Sequence, residues 1–338
     1  MPNPVKLSLR LQVVFEKTKI LCFGRYAMEL PQEAQLIVGN SVIGNSVKVA
    51  AGGLALAKLR VNENFKRLQW EEPTAEMMYS GPGPITDNWQ VRYFADKFHK
   101  SSNTLFFDTY IGKGDLTFVT DDSIGSGETE QTVITRQLTR AKIFRLRGAE
   151  EVPAEAGYCV QHGFLPGDQY EDQETFSAGI YIPSLADVTF SVSSNKNAYA
   201  DYPVARFEEM KLNELPLLAR IKSAKATQGI LYTKRDVLRE GKRDIHHWKG
   251  AESLIRRPDG TQDVEWAFIG TPKLVATPSE FHVAMFTKVE ANMVGAAKKA
   301  SVTDDEAVAL WDKLLSGLKF RVDSYYLPKN SPVSASKK

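Results

Sequence analysis

The sequence lacks the features that place a protein in a membrane or mark it for export. No stretch approaches the roughly 20 consecutive apolar residues that a transmembrane helix requires. The N-terminal residues contain no apolar core of signal-peptide length. We therefore expect no membrane span, and a cytoplasmic location unless a leader has been removed from the chain.

Motifs of the common enzyme classes are absent as well. The chain has no G-x-S-x-G nucleophile elbow, no P-loop, no G-x-G-x-x-G fingerprint and no H-E-x-x-H zinc motif. Its 2 cysteines and 5 histidines do not show the spacing of a structural zinc site. These absences predict a protein that is not an enzyme and that uses neither a metal nor a cofactor.

Charge is balanced overall but unevenly distributed. With 43 basic and 41 acidic residues, the net charge of +2 argues against a dedicated nucleic-acid-binding protein. Residues 150–174 carry seven carboxylates and no Lys or Arg, whereas residues 211–257 carry twelve basic and five acidic residues. Such patches fit electrostatic attraction of a protein partner. They fit charge compensation within the chain equally well, and the sequence leaves both interpretations open.

Periodicity in the first half predicts strands, a helix, three strands and a second helix. Ala57, Val61, Phe65 and Leu68 form one apolar helical stripe. Residues 80–84 read as a rigid exposed turn, and the turn at residues 112–115 predicts a hairpin between strands 104–111 and 116–120. A helix is expected over residues 129–146.

The second half repeats this order. Residues 202–222 are helical in composition with a break at Pro216, and Thr303 with Glu306 forms a capping box ahead of the final helix. The expected strands are 176–182, 188–192, 230–233, 249–256, 264–269 and 281–287.

A length of 338 residues and a hydrophobic content of 43% predict two packed domains. The fold class is α+β, and each domain is a mainly antiparallel sheet backed by helices. The domains are expected at residues 1–148 and 158–328, joined by an acidic connector at 149–157, with a disordered tail at 329–338.

Two arrangements of side chains support a chemical hypothesis. Cys22 and Cys159 are either two buried thiols or one disulfide, and an unbridged Cys159 would allow a nucleophile pair with His162. His246 and His247, together with the acidic residues 168–174, provide the alternative of a hydrolase of unknown class. The more ordinary interpretation gives the histidines to a strand, one pointing outward and one packed on Trp248, and the carboxylates to a solvated loop.

Several short motifs resemble those of a known family, the immunity proteins that neutralise antibacterial lipase effectors of type VI secretion. CFGRY at residues 22–26 and MELP at 28–31 resemble the opening signature of that family. YCVQHGF at 158–164 resembles the start of its C-terminal domain. GAESL at 250–254, VEW at 264–266 and Gly270 resemble the later strands of that family.

The resemblance implies a non-catalytic, two-domain inhibitor that acts in the periplasm and clamps a cognate phospholipase effector between its domains. It also favours a Cys22–Cys159 disulfide, and a monomer is expected. A non-catalytic envelope binding protein remains a further alternative. The loops expected to face the partner are 79–89, 168–174 and 195–202, and the contact residues expected there are Tyr79, Trp89, Asp168, Tyr170, Glu171, Asp172, Tyr199 and Tyr202.

Overall fold

The fold is α+β and dominated by antiparallel sheets, as the sequence predicts. The computed structural model describes residues 5–167, 173–197, 216–270, 278, 280–287 and 300–321. Its helices are α1 (Leu9–Val14), α2 (Gly53–Glu71), α3 (Lys97–Ser101), α4 (Glu130–Ile143), α5 (Leu217–Gln228) and α6 (Asp304–Gly317). Short 3-10 turns occupy Pro183–Leu185 and Gly229–Lys234.

The strands alternate with these helices along the whole described chain. In the first half they are β1 (Thr18–Phe23), β2 (Tyr26–Pro31), β3 (Gln35–Ile43), β4 (Asn45–Ala51), β5 (Glu76–Pro82), β6 (Asn88–Phe94), β7 (Phe106–Lys113), β8 (Leu116–Ser123) and β9 (Arg145–Leu146). In the second half they are β10 (Gly157–Val160), β11 (Gly163–Pro166), β12 (Gln173–Tyr181), β13 (Thr189–Asn197), β14 (Asp236–Ile245), β15 (Trp248–Arg256), β16 (Gln262–Ile269), β17 (Glu280–Phe286) and β18 (Leu318–Phe320).

Two compact units are present. The N-terminal unit comprises residues 41–149 and 157–167, and the C-terminal unit comprises the described parts of residues 1–40, 150–156 and 168–338. The domains expected from sequence are continuous segments joined by a connector at 149–157, whereas each of these units combines separate segments. The predicted domain limits stay a prediction. The tail at 329–338 lies outside the described residues.

In the N-terminal unit, a sheet of order β4-β8-β7-β6-β5 has one helix on each face. Ala57 and Val61 of α2 pack on Val91 and Tyr110, and Val133 of α4 packs on the opposite face. Gly52 and Gly53 start α2 with φ values of 98° and 64°, which a glycine adopts without strain. Both backbone N–H groups donate to the Asp115 carbonyl at 2.8 and 2.9 Å, so the β7–β8 turn anchors the helix.

In the C-terminal unit, the sheet order is β14-β15-β16-β17-β13-β12, and β3 follows β12. Helix α5 packs through Leu217 on Ala251 and Ala267. Helix α6 begins at the predicted capping box, where the side chains and backbones of Thr303 and Glu306 bond reciprocally. Its apolar side is fully buried and includes Trp311.

Three local predictions are wrong. Residues 230–233 form part of a 3-10 turn and not a strand. Strand β5 runs to Pro82, so residues 80–82 belong to a sheet edge, where proline is tolerated. His246 and His247 lie in the turn between β14 and β15, and His246 has a φ of 51°. Neither histidine is a strand residue.

Candidate partner-binding surface

The structure describes two of the eight expected contact residues. Tyr79 lies in β5 and Trp89 in β6, and both side chains are half-buried. The other six lie outside the described residues, namely Asp168, Tyr170, Glu171, Asp172, Tyr199 and Tyr202. The structure therefore shows the surroundings of Tyr79 and Trp89, and the contact role of all eight residues stays a prediction.

Trp89 is fixed on the face of the sheet that carries α2. Its indole N–H donates to the Ser80 hydroxyl at 3.2 Å, and the Lys58 ammonium lies 4.7 Å from the ring centroid. The ring also packs against the cluster of α2 and sheet residues that includes Val61 and Tyr110. These contacts hold the indole in one orientation, and part of its surface remains accessible.

Tyr79 lies on the opposite face of the same sheet. It pairs with Arg92, three residues along β6 from Trp89, and side chains on a strand alternate between faces. The Arg92 guanidinium lies 4.5 Å from the Tyr79 ring centroid, and the phenol donates to the Pro82 carbonyl at 2.8 Å. A single contact patch on one face of this sheet would therefore not include both aromatic residues.

A cavity of about 440 Å³ lies between α2 and the sheet, and it was not expected from sequence. Asp108 of β7 and Asp121 of β8 stand directly opposite each other on its sheet side. Asp121 accepts a hydrogen bond from the Ser46 N–H at 2.9 Å. Among the described residues, Asp108 has no hydrogen-bond or ion-pair partner. Like charges directly opposite on one sheet face are destabilising, so this pair departs from ordinary sheet design.

The sequence contains a signal for this acidic pair. The predicted hairpin closes at Gly114 and Asp115, which pairs Lys113 with Leu116. Counting back five residues along each strand from that pair reaches Asp108 and Asp121. Because a two-residue turn fixes the register of a hairpin, the turn position alone aligns the two carboxylates.

Burial changes the ionisation of the groups around this cavity. Desolvation, followed by the nearby Asp121 charge, raises the pKa of Asp108 to about 6, and Lys48 opposes the shift. Desolvation and the Asp108 charge raise the pKa of Tyr110 to about 12. The same two causes raise the pKa of Tyr93 well above its usual range. Both phenols are therefore neutral at pH 7, and the negative charge of the cavity belongs to the two aspartates.

Within the described residues, the groups of the hydrolase hypothesis do not form an assembled site. Glu174 is the only carboxylate of that set within the described residues, and it is buried in a two-point ion pair with Arg25 at 2.6 and 2.7 Å. The His246 ring nitrogen lies 2.9 Å from the Leu318 carbonyl oxygen, and the His247 ring lies 4.7 Å from that of Trp248. These groups bind to the protein itself.

Cys22 and Cys159 form a disulfide, as the resemblance implied. A bridged Cys159 has no thiolate to offer, so the proposed nucleophile pair with His162 is excluded. No group of three or more His, Cys, Asp or Glu residues that could hold a metal ion occurs in the described part of the chain. No helix within the described ranges is long and apolar enough to cross a membrane.

Among the described residues, half of the twelve cations in the basic segment 211–257 are paired inside the C-terminal unit. Six of its cations make ion pairs there: Arg220 with Glu265, Lys225 with Glu240, Arg239 and Arg243 with Glu252 and Asp312, Arg256 with Asp236 and Asp304, and Arg257 with Asp263. Glu252 is buried and also accepts the indole N–H of Trp311 at 3.0 Å. Of the two interpretations left open, these pairs favour internal compensation.

Comparison with known families gives two matches that follow one another along the chain. Residues 19–153 match the N-terminal domain of Tle cognate immunity protein 4, and residues 151–323 match its C-terminal domain. No curated protein matches the sequence.

Solved structures share the fold. The immunity protein TplEi of the type VI secretion system of Pseudomonas aeruginosa, complexed with an "L" peptide, aligns with a TM-score of 0.68 and 18% identity, over 90% of this chain and 98% of that one. Its apo form aligns with a TM-score of 0.69 and 17% identity, over 90% and 97%. A chain of the Tle4–Tli4 complex aligns with a TM-score of 0.67 and 19% identity, also over 90% and 97%. At these identities the likeness concerns the fold.

Proposed function

The chain belongs to the Tle cognate immunity protein 4 family, and from this we propose that it binds and inhibits a cognate phospholipase effector of a type VI secretion system. As a member of a family of immunity proteins, it is an immunity protein and not an enzyme. The observation that carries the proposal is the match of both family domains, which together span residues 19–323. One similar solved structure is itself a complex of an effector with its immunity protein.

The inhibitory mechanism that we propose is a clamp, in which the effector is held between the two domains and its lid cannot open. Binding of this kind is favoured when little conformational entropy is lost on docking. The regular strands and the Cys22–Cys159 disulfide support such preorganisation.

We propose that the contact residues include Tyr79 and Trp89, with Asp168, Tyr170, Glu171, Asp172, Tyr199 and Tyr202. Rigid aromatic side chains that keep part of their surface accessible are frequent binding hot spots. Trp89 fits this description best, because the Ser80 hydroxyl and the Lys58 ammonium fix its ring.

The decisive experiment mixes the purified chain with the lipase that is encoded beside its gene. We expect a stable complex on size exclusion and a stoichiometric loss of phospholipase activity. Full activity in the presence of excess chain would contradict the proposal. A single copy of the chain per complex would agree with the expected monomer.

The contact residues are tested by alanine substitution within the same assay. We expect Trp89→Ala to weaken binding by about tenfold or more. Trp70→Ala is the matched control, since Trp70 is 83% exposed on α2 and outside the expected contact loops. Thermal melting of both variants separates lost contacts from lost folding. Equal affinities for the two variants would remove Trp89 from the contact set.

We propose the periplasm as the site of action. A disulfide persists in an oxidising compartment and is rare in the cytosol, which supports this location. Fractionation of cells that carry the native gene tests it, and recovery in the cytosolic fraction with two free thiols would contradict it.

A further inference from the structure

The cavity of the N-terminal unit has an acidic floor. Asp108 and Asp121 meet there from neighbouring strands, and the Asp108 carboxylate accepts no hydrogen bond from any residue of the described chain. A volume of about 440 Å³ is within the range of roughly 300–1,000 Å³ typical of ligand pockets. A hydrogen-bond donor with positive charge would complement this floor.

The walls suit the same kind of group. The rings of Phe65, Tyr93 and Tyr110 line the cavity, and both phenols stay neutral at pH 7. Aromatic faces attract ammonium and guanidinium ions, more strongly where water is excluded. A cationic occupant gains charge attraction from both the carboxylates and the rings, whereas a neutral occupant gains neither attraction and an anionic one is repelled by the carboxylates.

The mouth of the cavity has the opposite charge. Lys48, Arg60 and Arg67 are exposed there, and within the described ranges none of the three makes an ion pair. An occupant with a cation at its inner end and an acidic group beside it would satisfy both the floor and the mouth.

We propose that this cavity binds a lysine or arginine side chain of the lipase effector, with an adjacent acidic residue of the effector meeting Lys48, Arg60 and Arg67. The inference rests on the proposed function for the identity of the partner. The two aspartates and three aromatic rings that would hold a basic side chain belong to the cavity itself and do not depend on the identity of the partner.

The first test compares Kd for the lipase encoded by the neighbouring gene. We expect Asp108→Asn and Asp121→Asn each to raise Kd by about tenfold or more, because the effector cation loses half of its counter-charge. Asp108→Glu keeps the charge and should stay within about threefold of the unchanged chain. Asp115→Asn is the matched control, since this exposed turn residue lies outside the cavity lining.

The outcomes separate the inference from the proposed function. Binding of the lipase by the unchanged chain, with equal Kd for both Asn variants, overturns the inference and leaves the function intact. A second result would also overturn the inference. If the unchanged chain does not bind the lipase but is retained on phosphatidylethanolamine vesicles, and the Asn variants are not retained, the cavity binds a lipid amine. Thermal melting confirms that each variant is folded.

A second test needs no lipase. N-acetyl-argininamide is titrated into the isotope-labelled chain, and the ring signals of Tyr93 and Tyr110 are followed by NMR. We expect a saturable shift that is absent in Asp108→Asn and that weakens as the pH falls below 6. The groups facing Asp108 in this titration are Asp121, Lys48, Arg60, Arg67, Tyr93 and Tyr110. No shift in the unchanged chain would overturn the inference whatever the lipase does.

Discussion

The two units differ in how they hold a carboxylate that folding removes from water, Glu252 being buried and Asp108 half-buried. In the C-terminal unit, the Glu252 carboxylate forms ion pairs with Arg239 and Arg243 and accepts a hydrogen bond from the Trp311 indole, so both of its oxygens have partners. In the N-terminal unit, Asp108 faces another carboxylate, and burial raises its pKa to about 6. The first arrangement holds a fold together, whereas the second opposes it.

This difference separates a structural charge from one that is available to a partner. A buried charge with several partners is destabilising to remove, because the partners are left unpaired. A half-buried charge that has lost water without gaining a partner raises the free energy of the folded state, and such groups are common at functional sites. Substitutions should therefore have opposite effects on stability in the two units.

The largest expected effect comes from the disulfide. The loop between Cys22 and Cys159 contains residues 41–149, most of the N-terminal unit, so reduction acts mainly on the unfolded chain of that unit. In the chain-entropy model, reduction lowers the free energy of unfolding by about 4–5 kcal/mol. Amide hydrogen exchange with and without reductant measures the change in each unit.

The control for this experiment is the Cys22→Ser, Cys159→Ser double variant, which should not respond to reductant. Equal loss of protection in both units would contradict the assignment of the effect to the chain of the N-terminal unit. Thiol titration of the denatured, unreduced protein should find no reactive thiol.

Glu252→Gln is expected to have the next largest effect, and to destabilise the C-terminal unit. Arg239 and Arg243 would keep their ion pairs with Asp312 but lose the buried Glu252 carboxylate, which should lower the free energy of unfolding by about 3 kcal/mol. Chemical denaturation measures the loss. Asp236→Asn is the control, because its carboxylate is 64% exposed in its pair with Arg256, and it should change stability by less than about 1 kcal/mol. Equal values for the two variants would remove the contrast.

Asp108→Asn should have the smallest effect, and of opposite sign. The raised pKa means that the ionised carboxylate destabilises the folded state at pH 7, so its removal should add about 1–2 kcal/mol after allowance for partial exposure. The gain is full above pH 6 and is lost as the pH falls through 6 toward the usual value of 3.8, where the native Asp108 becomes neutral. Denaturation at pH 5 and 7 tests this, and a loss of stability at pH 7 would contradict it.

Local patterns predict the elements whose signals lie within a few residues. The Thr303–Glu306 capping box and the 112–115 turn are both confirmed, because a cap and a tight turn are set by adjacent residues. Strand β14 was missed, since its charged sequence shows no apolar alternation and its order comes from pairing with β15. Residues 230–233 have strand-forming composition, yet they follow α5 as a 3-10 turn.

The candidate site was only partly accessible from sequence. The family resemblance implied the disulfide, which no spacing argument decided. Tyr79 and Trp89 are expected from sequence on one partner-facing loop, 79–89, but they lie in two strands, and strand alternation puts them on opposite faces of the sheet. Sequence does not reveal the cavity because α2, β4, β6, β7 and β8 form it together, although the register of one hairpin already aligns its two aspartates.

The attachment of α2 to the β7–β8 turn has a consequence for evolution of this cavity. A Cβ on Gly53 would lie 2.9 Å from the Gly114 carbonyl oxygen. The start of α2 therefore packs so closely on the turn that a side chain at this position would displace the helix. The strands that leave this turn carry Asp108 and Asp121, and the helix that it seats carries Arg60 and Arg67. The helix and the two strands that enclose the cavity are therefore positioned by the same turn. Substitutions among the lining side chains can follow a changing partner while the backbone around the cavity keeps its dimensions.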